Sequence, residues 1–114
     1  MDNIKGDDYY IKKVIENINV IINYSSGLSF DEFIKDELII DAIMFRLIQM
    51  VENTNRISKE YKEKHSDIDW NLIKGFRNGI VHEYGNTDYA IVYEIVTSDI
   101  YNLKQVLLNE NKNI

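Results

Sequence analysis

The chain of 114 residues contains no cysteine and no proline, and it has only five glycines and two histidines. Without cysteine there is no disulfide, no thiolate nucleophile and no cysteine-based metal site. The histidines, His65 and His82, lie too far apart in sequence to suggest a local chelate, and no HExxH-type run occurs. We therefore expect neither a metal nor a cofactor. The absence of proline permits long uninterrupted helices.

Long apolar runs and excess positive charge are also missing. The first apolar stretch, residues 11–22, is interrupted by charged and amide side chains, so it predicts neither a signal peptide nor a membrane span. We expect a cytoplasmic protein without membrane contact. The net charge of −6 argues against a protein that coats long nucleic acid, because such proteins usually carry a basic face. Any contact with RNA should be local, or a larger complex should present the RNA.

What the chain does contain is apolar residues, 45% of the total, at helical spacing. Its length fits a single domain over residues 1–114. The pattern predicts helices over about 8–24, 30–35 and 36–62, a fourth that begins at Ser66 or Asp67, and a fifth from Thr87 or Asp88 to Leu108. Brief connections join them, so we predict an all-α, up-and-down bundle of four main helices plus one short helix.

Several residues are typical of helix ends. Asp7 or Asp8 is a candidate N-cap for the first helix, and Gly27 a stop signal. Ser29 and Glu32 have the spacing of a capping box. The sequence after Asp36, LIIDAIMFRLIQMV, is apolar around most of a helix, which predicts a central helix covered on more than one side.

The residues best suited to chemistry lie between Trp70 and Tyr89, within WNLIKGFRNGIVHEYGNTDY. RNA supplies its own nucleophile, the 2′-hydroxyl, so a protein that cleaves it needs a base, an acid and positive charge near the phosphate. Histidine suits the first two roles and arginine the third. His82 and Arg77 therefore form a candidate catalytic pair without a metal. Asn78 lies four residues before His82, on the same helix face, and could orient the imidazole or the phosphate.

Other interpretations apply to the same residues. The bare Arg–His pair fits a surface charge beside a half-buried histidine, which is the commoner origin of such a pair. We expect Trp70 to anchor its helix on the core, His65 to be exposed, and Asp88 to cap the last helix. The tyrosines other than Tyr84 fit helix edges without a ligand. Glu52 is equally consistent with a contact across a dimer and with simple surface.

The same stretch resembles the signature of the HEPN superfamily, and in particular that of the HepT-like toxins. The matching residues are Trp70, Arg77-Asn78, His82-Glu83-Tyr84 and Asp88. The similarity continues through DYYIKKVIENINVIINYSSGLSFDEF at the start, RLIQMVENTNRIS in the third helix and SDIYNLKQVL in the last. It covers nearly the whole chain. One departure is Val51, where the family usually has glycine.

The resemblance implies a ribonuclease toxin that acts as a homodimer, with its sites at the shared interface and higher assembly left open. Arg77 and His82 would be catalytic, with Asn78 in support. A small nucleotidyltransferase antitoxin would inhibit the toxin by transferring AMP to Tyr84. Two other functions fit the sequence: a non-catalytic HEPN module that binds a nucleotide or a nucleotidyltransferase, and a purely structural helical dimer.

Overall fold

The computed structural model describes residues 5–80 and 88–110, without the side chains of residues 78–80. These residues form helices joined by short connections and contain no strand, which confirms the predicted all-α bundle. The helices are α1 (Asp7–Ser25), α2 (Phe30–Ile34), α3 (Glu37–Asn55), α4 (Lys59–Lys64), α5 (Trp70–Ile80), α6 (Tyr89–Glu94) and α7 (Ile100–Glu110). A π-helical turn, Ile95–Asp99, joins α6 to α7 without a break. Within the described ranges, no helix is both long and apolar enough to cross a membrane.

The central helix is α3, as predicted. It packs against α1 on one side and α5 on another, and α2 contacts it near its start. Its buried residues Ile40, Ile43, Leu47 and Met50 join residues of α1, α5 and the last helical segment in one apolar core. Val51, the departure from the glycine of the resembled signature, is 3% exposed and belongs to this core. The larger side chain is therefore accommodated within the protomer.

Among the first three helices, two predicted starts are confirmed and one is wrong. Ser29 and Glu32 form both hydrogen bonds of the capping box, and the Asp36 carboxylate accepts from the Ile39 N–H at 3.1 Å. Asp7 and Asp8, in contrast, do not cap α1, which begins after Gly6 without a side-chain cap. The Asp7 carboxylate instead accepts hydrogen bonds from the backbone N–H and the hydroxyl of Ser58, at 2.8 and 2.7 Å.

The third helix is shorter than predicted. It ends at Asn55 rather than continuing to about residue 62, and α4 follows as a separate short helix. Two causes combine here: a helix cap at Ser58 and a contact of Ser58 with α1. Ser58 is extended and its hydroxyl accepts from the Tyr61 N–H, so it begins a new helix while it is also bound to Asp7. The buried side chain of Ile57, 4% exposed, fixes the chain at the bend.

The last helical segment follows its predicted apolar stripe in most positions. Val92, Ile95, Val96, Ile100, Leu103 and Leu107 are buried, whereas Ile91 is 40% exposed. The π-helical turn places Ile95 and Val96 side by side in the core, and the Thr97 hydroxyl donates to the Tyr93 carbonyl at 2.7 Å. The extra residue of this turn rotates the face that follows it. Tyr93 also donates to the Leu28 carbonyl, which connects α6 to the turn after α1.

Candidate active site around Arg77

Helix α5 carries the candidate arginine, and its start and its buried face fix where that side chain points. The Asp69 carboxylate accepts from the Leu72 N–H at 3.0 Å, so Asp69 caps this helix and the predicted caps at Ser66 and Asp67 are wrong. Ile73 and Phe76 are 0% and 1% exposed. Because successive residues of a helix are about 100° apart, a buried Phe76 turns Arg77 toward the surface. The Arg77 side chain is 59% exposed.

Trp70 anchors the first turn of α5, as predicted. It is half-buried against the core, and its indole N–H donates to the His65 carbonyl at 3.2 Å. His65 itself is not exposed as predicted. Its ring stacks on Tyr61 with centroids 4.1 Å apart, and its Nδ1 lies 3.6 Å from a Glu110 carboxylate oxygen. Stacking by Tyr61 and the approach of Glu110 from α7 account for the difference, because they cover a connection that the sequence alone marks as polar.

Among the described residues, the acidic partner of Arg77 comes from α3. A guanidinium nitrogen of Arg77 lies 3.9 Å from a carboxylate oxygen of Glu52, and both side chains are at least half exposed. A contact of this length in water is a weak ion pair. It restrains the arginine without using up its fork of donors, because an arginine offers five N–H groups. Glu52 therefore lies beside the candidate site within a single chain, a contact that the sequence did not predict.

A cleft of about 340 Å³, here called the α5 cleft, opens beside Arg77 between α3 and α5. Its lining residues are Val51, Asn55, Asn71, Lys74, Gly75 and Arg77. Lys74 and Arg77 lie on the exposed side of α5, one turn apart, so two cations face the same opening. The positive charge of Lys74 also affects Lys62. Burial is the main cause that lowers the pKa of Lys62, repulsion from Lys74 adds to this shift, and attraction to Asp7 opposes it. Two cations and no acid are among the described residues that line the opening, in a chain of net charge −6.

Of the other residues in the predicted motif, the structure describes the backbone of Asn78 and the whole of Asp88. Asn78 follows Arg77 on α5, where its backbone is helical. His82 and Tyr84 lie outside the described residues, so their grouping with Arg77 stays a prediction. Asp88 is described, and its carboxylate accepts from the N–H groups of Ala90 and Ile91 at 3.1 and 3.2 Å. That confirms its predicted role as the cap of α6.

Comparison with known proteins identifies the family. Residues 14–109 match the family described as ribonuclease HepT-like. A protein of Caldanaerobacter subterraneus subsp. tengcongensis, to which an RNase activity is assigned by inference, is 30% identical over 96 residues, which span 84% of this chain and 86% of the relative. A Methanocaldococcus jannaschii protein with the same kind of assignment is 26% identical over 84% of this chain and 88% of its own length.

A third relative carries the family's name. This protein of Thermococcus cleftensis, assigned by inference as a ribonuclease HepT, is 25% identical over 83% of this chain and 86% of its own length. No solved structure matches the chain. The matched region begins within α1 and ends within α7, so it includes α3, α5 and the cleft between them. The chain belongs to the HepT-like ribonuclease family, which confirms the resemblance found in its sequence and its predicted class as a ribonuclease.

Proposed function

We propose that this protein is a metal-independent endoribonuclease toxin, and that its site combines Arg77 with His82. The observation that carries the proposal is the exposed guanidinium of Arg77, held on a helix whose Ile73 and Phe76 are fixed in the core. A phosphate needs a preorganised cation of this kind, because a side chain that must reorganise stabilises the transition state less. The proposal includes a cytoplasmic location, where such a toxin would meet cellular RNA.

The proposed reaction is transesterification within the RNA. A base removes the proton of the 2′-hydroxyl, whose oxygen attacks the neighbouring phosphorus, and the bond from phosphorus to the 5′-oxygen breaks. An acid returns a proton to that leaving oxygen, so the products carry a 2′,3′-cyclic phosphate and a 5′-hydroxyl. His82 supplies the proton transfers, Arg77 stabilises the charge on the phosphorane, and Asn78 orients the imidazole or the phosphate.

The net charge of −6 is compatible with this activity if the positive charge is local. Lys74 and Arg77 supply two cations at the α5 cleft, and the acidic partner of Arg77 is held at 3.9 Å in a solvated contact. A phosphate that enters the cleft can displace Glu52, since an exposed ion pair of this kind contributes only about 0–1 kcal/mol. The site therefore favours a short contact with one phosphate over general adhesion to nucleic acid.

A homodimer would complete the site, because one chain offers one His–Arg pair whereas the reaction uses both an acid and a base. The outer side of α3 supports this assembly. Leu38 and Phe45 are 83% and 56% exposed, and they lie at a spacing of seven residues that continues to Glu52. Residues at this spacing share one face of a helix. A second copy that covered the two apolar side chains would extend along α3 toward Arg77.

This arrangement predicts that the double substitution Leu38→Ser with Phe45→Ser weakens the dimer by at least about tenfold, since each removes a large apolar contact worth roughly 1 kcal/mol or more. Sedimentation equilibrium at several protein concentrations measures the dissociation constant. Leu108→Ser is the matched control, because Leu108 is an exposed leucine, 43% accessible, on α7. A double variant that associates as tightly as the wild type places the interface elsewhere.

Control of the toxin would act on Tyr84. A nucleotidyltransferase antitoxin would transfer AMP from a nucleoside triphosphate to the phenol oxygen, with loss of pyrophosphate. The resulting phosphodiester is negatively charged, and Tyr84 lies seven residues from Arg77 in sequence. Such a group beside the guanidinium would take the place of the substrate phosphate. Modification would therefore block the site without unfolding the protein.

The experiment that tests the proposed function is growth after induced expression in a host without the antitoxin. We expect arrest by the wild type and by Tyr84→Phe, and normal growth with Arg77→Ala or His82→Ala at equal soluble levels. Coexpression of the nucleotidyltransferase should rescue growth in the wild type but not in Tyr84→Phe. Equal harmlessness of all four proteins, each soluble and helical, contradicts the toxin and favours the non-catalytic binding module.

A further inference from the structure

A second groove, here called the α1–α3 groove, lies between the start of α1 and the C-terminal half of α3. Its volume is about 670 Å³, within the range of about 300–1,000 Å³ that ligand sites occupy. Lys5, Tyr9 and Tyr10 line it from the α1 side, and Gln49, Glu52 and Arg56 are among its residues on α3. Aromatic rings, amide groups and cations therefore meet in one open channel of the surface.

The α1–α3 groove adjoins the candidate active site at Glu52. Glu52 lines the groove, and its carboxylate is the group that lies 3.9 Å from the guanidinium of Arg77. Arg56 lies four residues beyond Glu52, directly after the last residue of α3. A strand whose phosphate bound Arg77 could thus continue past Glu52 into the groove without crossing the core.

Tyr9 presents the aromatic surface of the groove. It is 40% exposed, and its ring meets Tyr10 edge to face, with centroids 5.1 Å apart and planes at 86°. Two ammonium groups lie over the ring in cation–π contacts, with Lys5 Nζ at 5.1 Å and Lys13 Nζ at 5.7 Å from its centroid, so a base that stacks there displaces an ammonium group toward the phosphates. Tyr10 holds the ring in place, whereas an exposed tyrosine by itself would be an ordinary surface residue.

Cations lie along the walls and the rim of this groove. Lys5, Lys13 and Arg56 bring three cations to its walls and rim in a chain of net charge −6. The acid within the groove, Glu52, is shared with Arg77, and Glu16 meets Lys13 in an exposed contact of 3.6 Å. Proteins that bind single-stranded nucleic acid combine these elements: an aromatic ring stacks on a base, and nearby cations neutralise the backbone phosphates.

From this combination we propose that the α1–α3 groove is a binding subsite for single-stranded RNA. A nucleobase next to the cleaved phosphate stacks on Tyr9, and Lys5 and Arg56 contact the phosphates that follow. The subsite rests on the proposed ribonuclease function, since it serves the strand that Arg77 and His82 would cut. The subsite adds affinity for RNA to that supplied by Lys74 and Arg77 in the α5 cleft.

The test measures binding of a fluorescein-labelled single-stranded oligoribonucleotide to the full chain carrying His82→Ala, so that the RNA stays intact. Adding Tyr9→Ala is expected to raise the Kd about five- to 30-fold, whereas Tyr9→Phe keeps the stacking surface and the affinity. Lys5→Gln or Arg56→Gln should each lower the slope of log Kd against log salt concentration by about 0.7. Tyr101→Ala and Lys35→Gln are the controls, since Tyr101 is 41% exposed and Lys35 is an exposed lysine next to α2.

Parallel measurements separate the subsite from the ribonuclease. RNA cleavage by the wild type, together with unchanged binding by the Tyr9→Ala and Tyr101→Ala proteins, overturns the subsite alone. Binding that depends on Tyr9 without any cleavage supports the subsite and overturns the nuclease. Absence of both cleavage and binding overturns both. Sedimentation of the Tyr9→Ala protein completes the test, because a loss of self-association would assign the groove to a second copy of the chain and overturn the RNA subsite.

Discussion

Replacing His82 with alanine is expected to reduce the rate of RNA cleavage by about 100- to 10,000-fold, the usual contribution of a group that transfers protons in the transition state. Arg77→Ala should cost about 100- to 1,000-fold, because it removes preorganised donors from the developing charge. Arg77→Lys keeps the charge but loses the planar fork, so its rate should fall between those of the wild type and Arg77→Ala. Single-turnover cleavage of end-labelled RNA by purified protein, with chelator present throughout, measures all three.

His65 provides the matched control for the catalytic histidine. It is the other histidine of the chain, and it stacks on Tyr61 beside α7, so His65→Ala should cleave RNA at the wild-type rate at a temperature where it remains folded. The products decide the mechanism: a 2′,3′-cyclic phosphate fits attack by the 2′-hydroxyl. Cleavage that stops with chelator, or that persists in the His82→Ala protein, would show that another mechanism or a contaminating nuclease is responsible.

Periodicity and helix-end chemistry predicted most of the fold. Apolar spacing located α1, whose Ile11, Val14 and Ile18 are buried, and the role of α3 as the central helix. The turn after α1 was also predictable, since Gly27 has a φ of 81°, a conformation that favours glycine. These features depend on residues a few positions apart, and a sequence displays such relations directly.

Contacts between distant residues explain what the sequence could not predict. The hydrogen bond between Asp7 and Ser58 joins positions 51 apart in sequence. Because of it, Asp7 does not cap α1, and α3 ends earlier than predicted. The same holds for the candidate site. The exposure of Arg77 follows from its neighbour Phe76, but its pairing with Glu52 depends on how α5 packs on α3. The contact of Glu52 with Arg77 was therefore not predictable from the sequence, and a contact of Glu52 across a dimer stays a prediction.

The second large effect concerns stability: Phe76→Ala is expected to lower the free energy of unfolding by about 3–5 kcal/mol. Phe76 is 1% exposed and is among the largest fully buried side chains, so its truncation leaves a cavity between α5 and the rest of the core. Small domains are stable by only about 5–15 kcal/mol, so the substitution removes a large share of the total. Urea unfolding followed by far-UV circular dichroism gives the change in midpoint, with the slope m expected to stay constant.

Substitutions at the adjacent residues Phe76 and Arg77 are expected to affect different properties, namely stability and catalysis. Arg77→Ala removes an exposed side chain and a solvated ion pair, so its free energy of unfolding should fall by no more than about 1 kcal/mol while cleavage is lost. Phe76→Ala should lose cleavage only in proportion to the unfolded fraction, and low temperature should restore it. An Arg77→Ala protein as unstable as Phe76→Ala would assign Arg77 a structural role. A Phe76→Ala protein of wild-type stability would contradict the packing of α5 on which the candidate site depends.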